Sequence, residues 1–66
     1  MNRLTELRTM CGMTQQQLAE KSGVHRVTIA RLESGSRPIT GITLATAIAL
    51  ADALGVTPVD FVRFSQ

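Results

Sequence analysis

Arginine is the residue type in this chain with the most chemistry to offer. Six of the seven basic side chains are arginines, against five acidic ones. A guanidinium is planar, permanently charged and forked, so it matches a phosphate or the edge of a guanine with two parallel hydrogen bonds. The cations are unevenly placed. Residues 1–37 hold Arg3, Arg8, Lys21, Arg26, Arg31 and Arg37 against Glu6, Glu20 and Glu33, while residues 38–66 hold Arg63 against Asp52 and Asp60. The net charge of +2 therefore has its positive side in the N-terminal half, which is the half a polyanion would meet. On charge alone, a mixed solvated surface accounts for the same numbers.

Other chemistries lack their residues. A metal site needs several convergent His, Cys or carboxylate ligands, and the single His25 and single Cys11 fall on different elements. No nucleophile, base and orienting group can be assembled, so no enzyme is expected and no cofactor. There is no Gly-rich phosphate loop. The two phenylalanines both lie near the C-terminus, which leaves no stacking platform for single strands. One cysteine cannot form an internal disulfide, and a lone thiol fits a reducing, cytoplasmic setting. An incidental surface cysteine explains Cys11 better than a redox sensor. No apolar run approaches the roughly 20 residues of a membrane span, and no signal peptide is visible.

The elements that must position the arginines are helices. Sixty-six residues allow one domain, 1–66. So short a chain buries only about 60% of its unfolded surface, and association with a second copy would support it. Leu4 and Leu7 begin an apolar stripe that reaches Met10 or Cys11, and Gly12 ends this first helix. Thr14-Gln15-Gln16-Gln17 reads as a capping box, with Met13 placed to staple the helix that follows, Gln15 to Ser22. Gly23 stops it. A third helix starts near His25 and runs to Ser34, with Gly35 as its cap. Ile29 and Leu32 share its inner face, and Arg26, Val27, Ala30, Arg31 and Ser34 share the outer one. Ser36-Arg37-Pro38 is loop, since proline disfavours helix in the residue before it. Thr40 or Thr43 caps a fourth helix ending at Leu54, within 43–54. Leu44, Ala47, Ile48, Ala51 and Leu54 form its expected inward stripe, and it is apolar enough to be buried on more than one side. Thr57 and Pro58 open a last helix, 57–64.

The second and third helices, joined through Gly23 by a turn too tight for an antiparallel pair, make a helix-turn-helix over about 14–34. A short-side-chained, cationic outer face on the second helix of such a unit suits the major groove. Arg26 or Arg31 could pair with guanine, and Val27 could offer a methyl contact to thymine. Thr14, Gln15 and the helix amides behind them could cradle a phosphate.

The run Leu7-Arg8, Gly12-Met13-Thr14-Gln15, Leu18-Ala19-Glu20-Lys21, Gly23-Val24, Thr28-Ile29, Arg31-Leu32-Glu33-Ser34-Gly35 resembles the Cro and lambda-type phage repressor family of helix-turn-helix domains. Ala53-Leu54-Gly55-Val56 matches the end of that family's fourth helix. The likeness spans roughly residues 3–62. It implies an all-α, compact, five-helix DNA-binding domain, usually a transcriptional regulator. It places base-reading side chains at His25, Arg26 and Val27, with Arg31 one turn on. It places Thr28 and Arg37 near the sugar-phosphate backbone, and gives Gln15 a phosphate contact and a buttressing role. Arg8 and Glu33 match a family ion pair that ties the first helix to the third. His25 stands where the family has a small N-cap residue, and Ser22 where it is usually apolar. The chain between Gly35 and Gly55 is slightly longer than the common form.

One recognition helix reads few base pairs, so a homodimer on a two-fold symmetric site is expected. Val59, Phe61, Val62 and Phe64 are the expected interface, with closure of the monomer core as the alternative role for them. The reading that results is a dimeric repressor of double-stranded DNA. An antitoxin-type DNA-binding protein that chiefly binds a partner protein, and a helical adaptor that binds no DNA, are the alternatives.

Overall fold

The computed structural model describes residues 3–38 and 41–63. Five helices follow one another: α1 (Arg3–Met10), α2 (Gln15–Ser22), α3 (Arg26–Ser34), α4 (Leu44–Leu54) and α5 (Pro58–Arg63). There is no strand among the described residues, so the fold is all-α.

Local chemistry sets the helix boundaries. The Gln17 amide donates to Thr14 Oγ1 at 3.1 Å and the Thr14 amide donates to Gln17 Oε1 at 2.8 Å, which completes the capping box of α2. Gly23 ends α2 at φ +76°, a conformation that costs other residues a Cβ clash. The chain turns there and α3 begins three residues later. Ser22 supports the turn from inside: its hydroxyl donates to the Leu18 carbonyl at 2.7 Å and accepts the Val24 amide at 3.1 Å. Of the two threonines that could open α4, Thr43 does so, accepting the Thr46 amide at 3.2 Å; Thr40 lies outside the described residues. Thr57 accepts the Asp60 amide at 3.1 Å and opens α5.

The core is one cluster that includes Leu4, Leu18, Ile29, Leu32, Leu50 and Phe61, all fully buried. α2 packs on α3 and α4, α4 on α5, and α1 on α3. Cys11 is exposed, and its thiol donates to the Leu54 carbonyl at 3.5 Å, so the end of α1 meets the end of α4.

Three sequence expectations are corrected here. Phe61 is 0% exposed. It closes the monomer core and is not available to an interface, because a six-residue α5 has one face toward α4 and its largest side chain fills it. In α4 the inward residues are Ala47, Leu50, Ala51, Ala53 and Leu54, whereas Leu44 is 73% and Ile48 39% exposed. Burial of Leu50 fixes the rotation of α4 and turns Leu44 and Ile48, one turn apart, outward. The helix is thus covered on one side, not nearly all round. In α1 the apolar stripe ends at Leu7, since Met10 is exposed and Thr5 takes the buried place.

Candidate nucleic-acid interface

α3 divides cleanly into two faces. Ile29 and Leu32 are buried, while Arg26, Val27, Arg31 and Ser34 are exposed. Thr28 and Ala30 lie half-buried between them. The apolar pair anchors the helix, and the outer face is left with two guanidinium groups and short side chains. Neither Arg26 nor Arg31 has an acidic partner among the described residues.

A hydrogen-bonded network holds α3 in place. Arg8 grips Glu33 at two points, Nε to Oε2 at 2.7 Å and Nη2 to Oε1 at 3.0 Å. Its remaining nitrogen, Nη1, donates to the Met13 carbonyl at 2.8 Å. Gln15 Nε2 donates to Glu33 Oε1 at 3.2 Å. One carboxylate thereby joins α1, the turn after it, the start of α2 and the end of α3. Burial by itself would push the Glu33 carboxyl up. Hydrogen bonds from Arg8, Gln15 and Thr5, with the Arg8 charge, outweigh it and hold the group below its usual value. The same contact with Glu33 pushes Arg8 up.

Gln15 spends one amide hydrogen on Glu33, which leaves its second hydrogen and its carbonyl oxygen for other partners. It sits half-buried beside exposed Thr14, at the start of α2. An open cleft brings these two residues together with Arg26 from the start of α3. The first amides of α2 and a guanidinium share that cleft, which is an electrostatic setting for an anion. Gln16 also lines it, together with a second hollow containing His25 and Arg26. In the sequence Gln16 is only a spacer in the capping box. Its adjacency to Gln15 was the available signal.

His25 is exposed and precedes α3 without a side-chain capping bond. Arg37 is exposed in the turn after α3 and does not line the cleft, with its amide on the Arg31 carbonyl at 3.2 Å. Of the proposed interface residues, Val59 is 69% exposed. The Val62 side chain and Phe64 lie outside the described residues. No cluster of metal-ligating side chains is present among the described residues, and no described helix is long and apolar enough to cross a membrane.

A helix-turn-helix family model matches residues 4–61. The chain belongs to the Cro and lambda-type helix-turn-helix family. The match takes in α1 to α4 and the start of α5, so the whole arrangement described above falls within it. Membership in this family makes the protein a DNA-binding regulatory domain, in a family that is not enzymatic. No curated protein and no solved structure matches the chain significantly.

Proposed function

We propose that this helix-turn-helix protein is a homodimeric transcriptional repressor that acts in the cytoplasm and reads a palindromic operator through the major groove. The observation that carries the proposal is the outer face of α3, where Arg26, Val27 and Arg31 are exposed and the arginines have no acidic partner among the described residues. Arg26 or Arg31 pairs with guanine, Val27 meets a thymine methyl, and His25 reaches the base edge or phosphate at the start of the helix. Thr14, Gln15, Thr28 and Arg37 take the sugar-phosphate backbone. Self-association uses Val59, which remains exposed, and sets the two recognition helices about 34 Å apart. Sedimentation as a monomer well above micromolar concentration would remove the dimer.

Selection of duplexes from a randomised pool, at two salt concentrations and beside Arg26→Ala, tests the reading. An enriched palindrome that Arg26→Ala relaxes is the expected result. Weak binding with no enriched sequence, abolished by salt, would leave only phosphate attraction. An antitoxin-type role, in which a partner protein is the main ligand, would then be the better account.

A further inference from the structure

The turn that follows α3 contains an arrangement that the site described so far does not use. Three donors converge on the Arg31 carbonyl: the Arg37 amide at 3.2 Å, the Ser34 hydroxyl at 3.1 Å and the Ser36 hydroxyl at 3.3 Å. The two hydroxyl oxygens are 3.1 Å apart, and the Ser36 amide donates to Ser34 Oγ at 3.4 Å. A carbonyl oxygen has two lone pairs and each hydroxyl has one proton. One assignment satisfies every group. Arg37 N–H and Ser34 O–H take the carbonyl, while Ser36 donates both its N–H and O–H to Ser34 Oγ. The alternative, with Ser36 O–H on the carbonyl, closes the same ring. In either case Ser36 is held at its amide and at its side chain, although it is exposed to water that would otherwise satisfy both.

Pro38 restrains the other side of Arg37. A proline confines the residue before it to extended backbone, and the Gly41 amide fixes the Pro38 carbonyl at 2.9 Å. Arg37 is therefore restrained from both directions, one hydrogen bond from the backbone of Arg31. Two guanidinium-bearing residues at one helix end repel each other. Neither has an acidic partner among the described residues, and Glu33 is already occupied by Arg8 and Gln15. The negative end of the α3 dipole offsets part of that repulsion. The remainder favours an anion brought from outside. α3 has nine residues. It is thus about 13.5 Å long, close to the width of a major groove, roughly 12 Å. Arg26 stands at the start of that span, Arg31 enters its last turn, and Arg37 lies in the turn beyond its end.

We infer that Ser36, acting with Ser34, is a positioning residue that holds Arg37 against a DNA phosphate at the far edge of the groove. The inference rests on the DNA-binding reading of α3. Ser36 itself touches no DNA; Arg37 does.

The test titrates the full chain with duplex DNA of mixed sequence over a range of salt concentrations. It compares the wild type with Ser36→Ala, Arg37→Ala, the double variant and Ser36→Thr. Each phosphate contact contributes about 0.9 to the slope of log affinity against log salt. Arg37→Ala should flatten the slope by about one contact, and Ser36→Ala should flatten it by about half as much. The double variant should lose no more than Arg37→Ala alone, and Ser36→Thr, which keeps the hydroxyl, should restore the wild-type slope. Hydrogen exchange at the Arg37 amide in the free protein should quicken in Ser36→Ala and not in Ser36→Thr. A merely structural role would lower the melting temperature and leave the slope unchanged. An unchanged slope in Ser36→Ala, or losses that add fully in the double variant, would overturn the inference while DNA binding stands. A wild type with no salt-dependent affinity for the duplex would overturn both, and the wild-type titration alone reveals that case.

Discussion

The two helices of the helix-turn-helix begin in opposite ways. α2 starts at Thr14 with its capping box complete, so its first turn is secured by residues next to it in sequence. α3 starts at His25 with no side-chain cap. What secures α3 is remote: Ile29 and Leu32 in the core, and Glu33 held by Arg8 and Gln15. α2 is locally determined, and α3 takes its position from the rest of the domain. This leaves the outer residues at the start of α3 free of structural duties. It also concentrates the cost of failure in a few distant contacts.

The largest test of that comparison removes the remote support. The Arg8 and Glu33 side chains are only 15% and 7% exposed, and breaking such a pair from one side costs about 3–5 kcal/mol. Discounted for its partial exposure, Arg8→Ala should lose about 3 kcal/mol in thermal or urea unfolding. Loss of sequence-specific binding before global unfolding would show that α3 is what Arg8 holds. Glu33→Gln should cost less, about 2 kcal/mol, because the amide keeps some hydrogen bonds. This variant also carries a pH signature. Glu33 is held below its usual carboxylate value, so its contribution is complete above the ordinary carboxylate range. It is lost as the pH falls through the depressed folded value. Unfolding free energy measured from pH 6 down to 2.5 should therefore fall less steeply in Glu33→Gln than in the wild type.

The local side of the comparison has smaller effects. Thr14→Ala should destabilise by about 1 kcal/mol, the usual worth of an N-cap, with the salt slope of DNA binding as a second readout. His25→Ser supplies the cap that α3 lacks and should stabilise by about 0.5 kcal/mol. A stability gain with weakened or altered selection of duplexes would show that His25 serves recognition at the expense of the fold. An unchanged binding preference would assign His25 no part in readout.

Features that depend on adjacent residues were legible in the sequence. The capping box at Thr14, the glycine stops, Thr57 with Pro58 and the boundaries of α2 all follow from neighbours within four positions. The rotation of α4 and the burial of Phe61 were not legible. In α4 nearly every position is apolar, so periodicity alone does not determine which side faces inward; contact with α2 and α5 does. α5 is too short to carry a periodic signal, and one large side chain decides its orientation. At the candidate site, the exposed face of α3 was readable from Ile29 and Leu32. The tie between Arg8 and Glu33 came through family resemblance, since 25 residues separate them. The support that Gln15 gives α3 through Glu33 also came through the resemblance, whereas the serine ring after α3 had no sequence signal, because polar residues in turns have many possible partners.

The ion pairs have a kinetic consequence. Arg3 is neutralised locally by Glu6 at 3.3 Å and Arg8 by Glu33 at 2.7 Å. Arg26, Arg31 and Arg37, on α3 and the turn after it, keep their charge unopposed by any acidic partner among the described residues. The molecule therefore has an electrical front. As it diffuses toward a polyanion, the field exerts a torque that turns this side forward before contact, over a distance of about 10 Å at 0.1 M salt. With the binding face proposed for α3, encounters become productive more often than random tumbling would allow, and the association rate falls as salt shortens the distance over which that torque acts.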